Sequence, residues 1–298
     1  MGERPVSEQE QSAEKAEELR IMKERILRSL EDEETRAKVA DDFSHTFKQL
    51  GLLPAQAEEL CGDVFALLRS EKPLPDIESE ILRIFGNIKV KMGGKEQNLI
   101  EMLDKKLKDR ARIIVSQVSP HLVGVKGKTI DYGTGDGQVA QMLHDQLGLD
   151  IEGVDVRSYK APHVTVPMAL FNGGRVEAAD GAYEAGVLTN VLHHEKANEK
   201  ILEELNRIVR RKFIILETIP VGETEDVMEQ DKDRTFMNDY LYNRLFHSAD
   251  VPVPGTFETP KKWLARFAMY GWRLTSEEDL GFDQPTIKDR HYLLVFER

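Results

Sequence analysis

A strand signal followed directly by a glycine turn lies at residues 129–137, Thr129-Ile-Asp-Tyr-Gly-Thr-Gly-Asp-Gly137. Glycines at such a point permit a tight turn and allow a ligand to approach the backbone at the start of a helix. The helical pattern that follows runs from Gln138 to Leu147. The stretch therefore predicts a strand, a turn that faces a ligand and a helix, which together open a βαβ unit.

The alternation of short apolar runs and helical patterns continues to the end of the chain. It indicates an α/β fold built on a mostly parallel sheet. A helix is predicted from Leu99 to about Pro120, and two more at about 197–210 and 261–270. Strands are predicted at 129–132, 151–156, 166–171, 185–192, 212–219, 272–275 and 291–296.

The first 95 residues have a different hydrophobic pattern, because their apolar side chains recur at three- and four-residue spacing. This period predicts four amphipathic helices. We interpret residues 1–95 as a helical cap or dimerisation region, with a possible homodimer formed through these helices. Residues 96–298 form the second predicted domain, which the segment 221–258 interrupts.

Composition and charge exclude several classes of protein. The 298 residues include 41 basic and 53 acidic side chains, giving a net charge of −12, and both predicted domains are acidic. Neither offers the basic surface that binding to phosphates requires, so nucleic acid is not an expected partner. Cys61 is the only cysteine, which excludes an intrachain disulfide. No apolar signal or membrane-spanning run occurs, and we expect a cytoplasmic protein without membrane contact.

Two carboxylates near the glycine turn indicate the charge of the ligand. Asp131 precedes the turn, where it would repel a pyrophosphate but pair with an ammonium group. Asp155 ends the second predicted strand and can accept hydrogen bonds from a ribose. Position 138, where the dinucleotide-binding pattern requires glycine, is Gln138. A ligand with a positive charge and a ribose but no phosphate fits these groups.

S-adenosylmethionine (SAM) is such a ligand, and the sequence resembles the class I SAM-dependent methyltransferases over roughly residues 105–298. The resemblance implies a Rossmann-like methyltransferase sheet with an antiparallel last strand, and SAM as the cofactor. It implies that the first motif cradles the methionine portion, that Asp155 binds the ribose and that the segment around Asn172 faces the adenine. The cofactor residues expected from it are Asp131, Gly133, Gly135, Gly137, Asp155, Val156, Asn172, Gly173, Thr189 and Asn190.

The fourth predicted strand and the interruption at 221–258 indicate the substrate class. The stretch Leu192-His-His194, followed by Glu203 and Arg207, is similar to the small-molecule, type 11/12-like branch of the family. A small metabolite is therefore the expected substrate, in a biosynthetic reaction at an oxygen, nitrogen or carbon nucleophile. In the interruption we predict a substrate pocket; the alternative for its aromatic residues is ordinary packing of a helix. The candidate substrate-binding residues are Phe236, Asn238, Asp239, Tyr240, Tyr242 and Asn243.

Methyl transfer from a sulfonium requires mainly that the nucleophile be held in line, with a base only where the nucleophile arrives protonated. The candidate catalytic residues are His193, His194, His247 and Glu217; a structural role is the alternative for His194 and Glu217. Asp231, Asp233, His247 and Glu217 are conceivable as a metal set, but their spacing is not diagnostic and no metal is predicted.

Two other functions compete with methyl transfer. A non-catalytic binding or scaffold protein could keep the fold and use its N-terminal helices to dock a partner. The intact set of Asp131, Gly133, Gly135 and Asp155 argues against it. A nicotinamide oxidoreductase is disfavoured by Gln138 and Asp131.

Overall fold

A seven-stranded sheet forms the centre of the computed structural model, which describes residues 8–92, 94–158, 160–195, 198–247 and 251–298. The strand order is β5-β4-β3-β6-β7-β9-β8. Neighbours from β5 to β7 pair in parallel, whereas β9 pairs antiparallel with both β7 and β8. The strands are β3 (Thr129–Tyr132), β4 (Ile151–Asp155), β5 (Met168–Leu170), β6 (Tyr183–Thr189), β7 (Val209–Ile219), β8 (Arg273–Gly281) and β9 (Arg290–Glu297). The predicted Rossmann-like fold with an antiparallel last strand is confirmed.

Helices cover both faces of this sheet, and their ends follow local chemistry. Asn98 caps α5 by accepting the Glu101 N–H, while the Glu101 carboxylate accepts the Asn98 N–H. Gly148 closes α6 with a φ of 65°, a conformation that glycine adopts without strain. These helices are α5 (Leu99–Leu122), α6 (Gln138–Leu147), α7 (Asn198–Ile208) and α10 (Pro260–Met269).

The N-terminal region contains the four predicted helices, α1 (Glu8–Glu31), α2 (Glu33–Gln49), α3 (Pro54–Leu68) and α4 (Leu74–Asn87). Their apolar faces share one hydrophobic core with residues between 236 and 257, which belong to the interruption of the sheet domain. The helices thus pack on the segment that was expected to hold the substrate. Residue 95 as the domain boundary stays a prediction.

The interruption forms α8 (Glu225–Gln230), α9 (Lys232–Tyr240) and a π-helix over Leu241–His247. Buried and half-buried ion pairs join it to the N-terminal helices. Arg234 contacts Asp42 with two hydrogen bonds of 2.6 and 2.9 Å, and Arg244 contacts Glu78 with two of 2.6 and 2.8 Å. Because both members of the second pair are buried, removing one charge would leave the other without compensation.

Three local predictions needed correction. The fourth sheet strand was expected to reach Leu192 but ends at Thr189, and a 3₁₀ turn over Leu192–His194 follows it. The strand expected at 272–275 extends to Gly281 because it pairs with β9 along its length. A small hairpin of β1 (Lys89–Met92) and β2 (Lys95–Asn98) was missed, since its polar alternation resembles a linker. Within the described residues, no helix has the length and apolar character needed to cross a membrane.

Candidate functional site

The carboxyl end of β3 places a buried acid at the glycine turn. Asp131 is 1% exposed, and its Oδ2 accepts a 2.6 Å hydrogen bond from the Thr134 hydroxyl. Its Oδ1 is buried and has no hydrogen-bond partner among the described residues. Burial is the main cause that raises the pKa of Asp131 to about 6, with smaller contributions from Asp155 and Asp136. A buried carboxylate oxygen without a donor is suited to a cationic ligand.

The three glycines of the turn have different surroundings, although φ is positive at each. A Cβ on Gly133 would lie 2.6 Å from Cγ2 of Val191, and one on Gly137 would lie 2.7 Å from the Met168 sulfur. A Cβ on Gly135 would meet no atom within 4 Å. Two glycines therefore permit close packing, while the third leaves open space at the turn.

Asp155, at the end of β4, faces the same turn. One carboxylate oxygen accepts the Gly135 N–H at 2.8 Å, and the other accepts the Arg157 N–H at 3.1 Å. Each oxygen has a second lone pair for a further donor. Both acids thus point toward the glycine turn, one of them with an unsatisfied oxygen. These groups fit a cationic nucleoside such as SAM.

The segment expected near the adenine follows β5, the strand that pairs with β4 and so ends beside Asp155. Val156 is 43% exposed, and its Cγ1 would lie 3.5 Å from a Cβ added to Gly173. The Asn172 side-chain oxygen accepts the N–H groups of Gly174 and Arg175, which closes the loop after β5. An adenine contact by Asn172 would therefore have to use its amide nitrogen.

The end of β6 has unusual backbone geometry. Asn190 has a φ of 56°, the one positive value at a non-glycine position in the part of the chain described. Its side-chain oxygen accepts the Thr218 hydroxyl at 3.1 Å, and its amide nitrogen is buried without a partner there. Thr189, the last residue of β6, precedes this bend. Sparsely populated backbone conformations of this kind cluster at ligand sites.

Glu217, on β7, holds the histidine turn in place. One carboxylate oxygen accepts the N–H groups of Val191 and Leu192, both at 2.7 Å, and the other lies 2.6 Å from Nδ1 of His193. Three partners occupy this buried carboxylate. Its contacts match the structural alternative for Glu217 that the sequence left open.

His193 lies between two acids and is itself buried. Its Nε2 is 3.6 Å from Oδ1 of Asp239, on the side of the ring opposite Glu217. Burial opposes protonation, but the carboxylates of Glu217 and Asp239 together outweigh it and raise the pKa of His193 to about 10. His194 lies beside it, with ring centroids 4.2 Å apart, and is 23% exposed. Burial and the neighbouring His193 lower the pKa of His194.

Asp239, from α9, brings the interruption of the sheet to the histidine turn. Its Oδ1 accepts the Asn243 amide at 2.6 Å and lies 3.9 Å from Nε2 of His194. The candidates His193, His194, Glu217, Asp239 and Asn243 are therefore brought together. The side chain of the remaining catalytic candidate, His247, lies outside the described residues.

Three of the other substrate candidates, Phe236, Asn238 and Tyr240, face the N-terminal helices. Tyr240 is fully buried and donates its hydroxyl to Glu78 at 3.0 Å, while the Asn238 amide donates to Asp42 at 3.0 Å. Phe236 stacks under the Arg25 guanidinium at 4.2 Å, and Tyr242 is buried as well. Phe236 and Tyr240 thus have the packing role that was the alternative to a substrate pocket.

Among the side chains that the structure describes, Asp231, Asp233 and Glu217 of the conceivable metal set do not form a group that could hold an ion. Asp231 accepts the Val221 N–H at 2.8 Å, and Asp233 pairs with Arg25 at 2.7 Å. Both carboxylates are thus used to attach the interruption to its surroundings.

Two residues at the site were missed by sequence reasoning. Phe257 stacks on the His193 ring with centroids 4.9 Å apart, and the Thr256 hydroxyl lies 3.0 Å from the His193 carbonyl oxygen. Both follow Val251-Pro-Val-Pro-Gly255, a proline-rich segment whose position indicates a fixed loop but not its contact with the histidines.

Comparison with known proteins supports the class that this geometry defines. Residues 130–215 match the family model described as "Methyltransferase domain". No curated protein matches the chain significantly. Similar solved structures include geranyl diphosphate C-methyltransferase from Streptomyces coelicolor A3(2) (14% identity, 74% of this chain and 97% of that chain, TM-score 0.49). A chain of the complex between the Haloferax volcanii Trm112 methyltransferase activator and a putative methyltransferase is also similar (15% identity, 65% and 92%, TM-score 0.48). At these scores neither likeness bears on the activity of this chain.

Residues 130–215, which contain the glycine turn and both acids, form a methyltransferase domain. The sheet topology agrees with the class I SAM-dependent methyltransferases that the sequence resembles, and SAM is the cofactor of that class. The predicted enzyme class and cofactor are confirmed.

Proposed function

We propose that this protein transfers the methyl group of SAM to a nucleophilic atom of a small polar metabolite. SAM supplies an activated methyl group when it is bound. The observation that carries the proposal is the buried Oδ1 of Asp131, which has no partner in the described part of the chain, at a glycine turn that Asp155 also contacts. In this proposal Asp131 and the turn hold the methionine portion, and Asp155 holds the ribose.

The acceptor side of the proposed site adjoins the donor side at Val191. Val191 packs on Gly133 of the glycine turn, and the residues that follow it form the histidine turn. His194 is the most exposed of the clustered His193, His194 and Asp239 side chains, so we propose that it contacts the acceptor. Glu217 and Asn243 act as positioning residues, because each is bonded to a member of that cluster.

A small acceptor is favoured by charge and by the construction of the site. The whole chain has a net charge of −12, which opposes binding to nucleic acid phosphates. Asp239 of α9 and Phe257, which belongs to the core shared with the N-terminal helices, both lie against the histidine turn. A biosynthetic role, a cytoplasmic location and a homodimer formed through residues 1–95 remain predictions.

Radiolabel transfer tests the proposed function. The full chain is incubated with methyl-labelled SAM and, in separate reactions, with the small-molecule, protein and RNA fractions of an extract from the source cells. We expect label in the small-molecule fraction, and we expect Asp155→Ala to reduce it when SAM is kept below saturation. Label confined to protein or RNA contradicts a metabolite acceptor.

The non-catalytic scaffold remains the competing function. Calorimetric titration with SAM separates the two, because a scaffold has no need of the unsatisfied Asp131 oxygen. Failure of the folded chain to bind SAM would favour the scaffold, and saturation by NADH instead would favour an oxidoreductase.

A further inference from the structure

Three metal-ligating side chains converge beside the donor site. His193, His194 and Asp239 each offer one ligand atom, and these atoms all lie within 4.8 Å of one another. Two ligands come from one 3₁₀ turn and the third from α9, so α9 must lie against the sheet edge to complete the set. Two histidines and one carboxylate form a donor set that proteins use for zinc and for non-haem iron.

The second ring nitrogen of each histidine is held by an acceptor. Nδ1 of His193 lies 2.6 Å from the Glu217 carboxylate, and Nδ1 of His194 lies 2.9 Å from the Pro252 carbonyl oxygen. Because a carbonyl oxygen only accepts, Nδ1 of His194 donates, and in the neutral ring Nε2 carries a free lone pair. Metal-ligating histidines are typically oriented in this way, by a carboxylate or a carbonyl at the nitrogen that does not bind the metal.

Asp239 has an oxygen available for coordination. Asn243 donates to Oδ1 at 2.6 Å, whereas Oδ2 is buried and has no hydrogen-bond partner within the described residues. The residue is only 6% exposed, so bulk water offers little compensation. A buried carboxylate oxygen without a donor is costly, and a cation that displaces the His193 proton and lies between this oxygen and the two imidazoles would satisfy it.

We propose that His193, His194 and Asp239 bind a divalent first-row transition-metal ion such as Zn²⁺, Fe²⁺ or Co²⁺. Imidazole ligands suit these ions, whereas Mg²⁺ and Ca²⁺ prefer all-oxygen sites. Oδ1 of the same carboxylate lies 3.6 and 3.9 Å from the two Nε2 atoms, so the Asp239 carboxylate lies beside both imidazoles.

Three protein ligands leave coordination positions open, as in catalytic rather than structural metal sites. An oxygen of the acceptor fits such a position, so the acceptor class becomes a small molecule with a hydroxyl, phenol or carboxylate group. This second step rests on the proposed methyl transfer, whereas metal binding itself does not.

Metal binding is tested on the untagged full chain after treatment with a chelator. Co²⁺ serves as the probe because its visible spectrum reports nitrogen and oxygen coordination, and Zn²⁺ is titrated by calorimetry. We expect one ion per chain, with Zn²⁺ displacing Co²⁺. His194→Gln and Asp239→Asn should each weaken binding more than 100-fold. Glu217→Gln should weaken it by about 10–100-fold, because the His193 ring loses the carboxylate that orients it.

His144→Gln is the matched control, because Nδ1 of His144 makes the same kind of contact, 2.8 Å from the Leu149 carbonyl oxygen, outside the cluster. It should leave metal affinity unchanged. Circular dichroism confirms that each variant is folded. The proposal is overturned if the wild type takes up no stoichiometric ion, or if both ligand variants bind it as tightly as the wild type does.

Titration of the same metal-free protein with SAM keeps the two proposals separate. SAM binding without metal binding would refute the metal site and leave the donor assignment intact. In that case Asp239 would serve only as the hydrogen-bond partner of His193. Metal binding without SAM binding would refute the proposed methyl transfer alone.

Discussion

The two sides of the proposed active site are built differently, although both lie at the carboxyl edge of one sheet. On the donor side, Asp131, the glycine turn and Asp155 all lie within 25 residues of sequence. On the acceptor side, His193 depends on Glu217 from β7, on Asp239 from α9 and on Phe257 from the loop beyond. The first is encoded locally, whereas the second exists only when distant segments pack together.

This difference predicts separate sensitivities. Ion pairs with the N-terminal helices hold α9 and the π-helix, which supply the acceptor side. The donor side contacts the acceptor side through Val191 and Gly133. Damage to the helical region should therefore affect the acceptor side first.

The largest effect is expected for Glu78→Gln. The change leaves the buried Arg244 guanidinium without a counter-charge and should lower the free energy of unfolding by about 3–5 kcal/mol. Urea unfolding of the full chain measures it. SAM affinity of the folded fraction should change less than twofold. Glu80→Gln, which removes a surface pair with Lys72, is the control and should leave the unfolding midpoint nearly unchanged. If the free energy of SAM binding to folded Glu78→Gln fell by as much as its free energy of unfolding, the donor side would depend on the N-terminal helices as strongly as the acceptor side does.

Gly133→Ala tests the contact between the two sides. The new methyl group would lie 2.6 Å from Val191 Cγ2, at a backbone φ of +73°. Overpacking costs about 1–3 kcal/mol, and the left-handed backbone about 1–2 kcal/mol. Gly135→Ala, with a φ of +57° and no atom within 4 Å, should show only the backbone cost. Thermal unfolding of both variants measures the difference, and equal destabilisation would remove the steric explanation.

Asp155→Ala tests the donor side alone. Loss of a charged acceptor should weaken SAM binding by about 1–3 kcal/mol, measured by calorimetry. Metal uptake at His193, His194 and Asp239 should be unaffected in the same variant. An unchanged SAM dissociation constant would contradict the ribose assignment.

The smallest effect is a pH dependence of SAM binding between pH 7 and 5. Burial raises the pKa of Asp131 to about 6, so its carboxyl group is mostly charged at pH 7 and mostly protonated at pH 5. The amino group of SAM stays positive throughout this interval, and only the protein partner loses charge. Affinity should fall about tenfold from pH 7 to pH 5, since each pH unit below the pKa corresponds to about 1.4 kcal/mol.

Asp131→Asn should bind SAM more weakly at pH 7 and show a flat profile over the same range. A wild-type profile that is also flat would indicate that Asp131 does not face the donor.

Most of the fold could be predicted because its signals are periodic and local. Helix α6 was predicted with its observed ends, since the glycines before it and Gly148 after it mark both termini. Strand β6 was extended too far because Val191 and Leu192 are as apolar as the strand itself. The strand ends earlier because the N–H groups of Val191 and Leu192 donate to the Glu217 side chain on β7 and not to a neighbouring strand's backbone.

The candidate site divides in the same way. The amino-acid sequence alone determined the α/β class, the glycine turn and the two acids that favour a cationic nucleoside, because these features depend on neighbouring residues and strand order. Only the tertiary structure decided that Tyr240 faces Glu78 while Asp239, one residue earlier, faces the histidines. Adjacent positions on a helix point in different directions, and the partners of each side chain come from segments far away in the chain. Burial of α9 and its ion pairs with the N-terminal helices fix which side chain faces Glu78 and which faces the histidines.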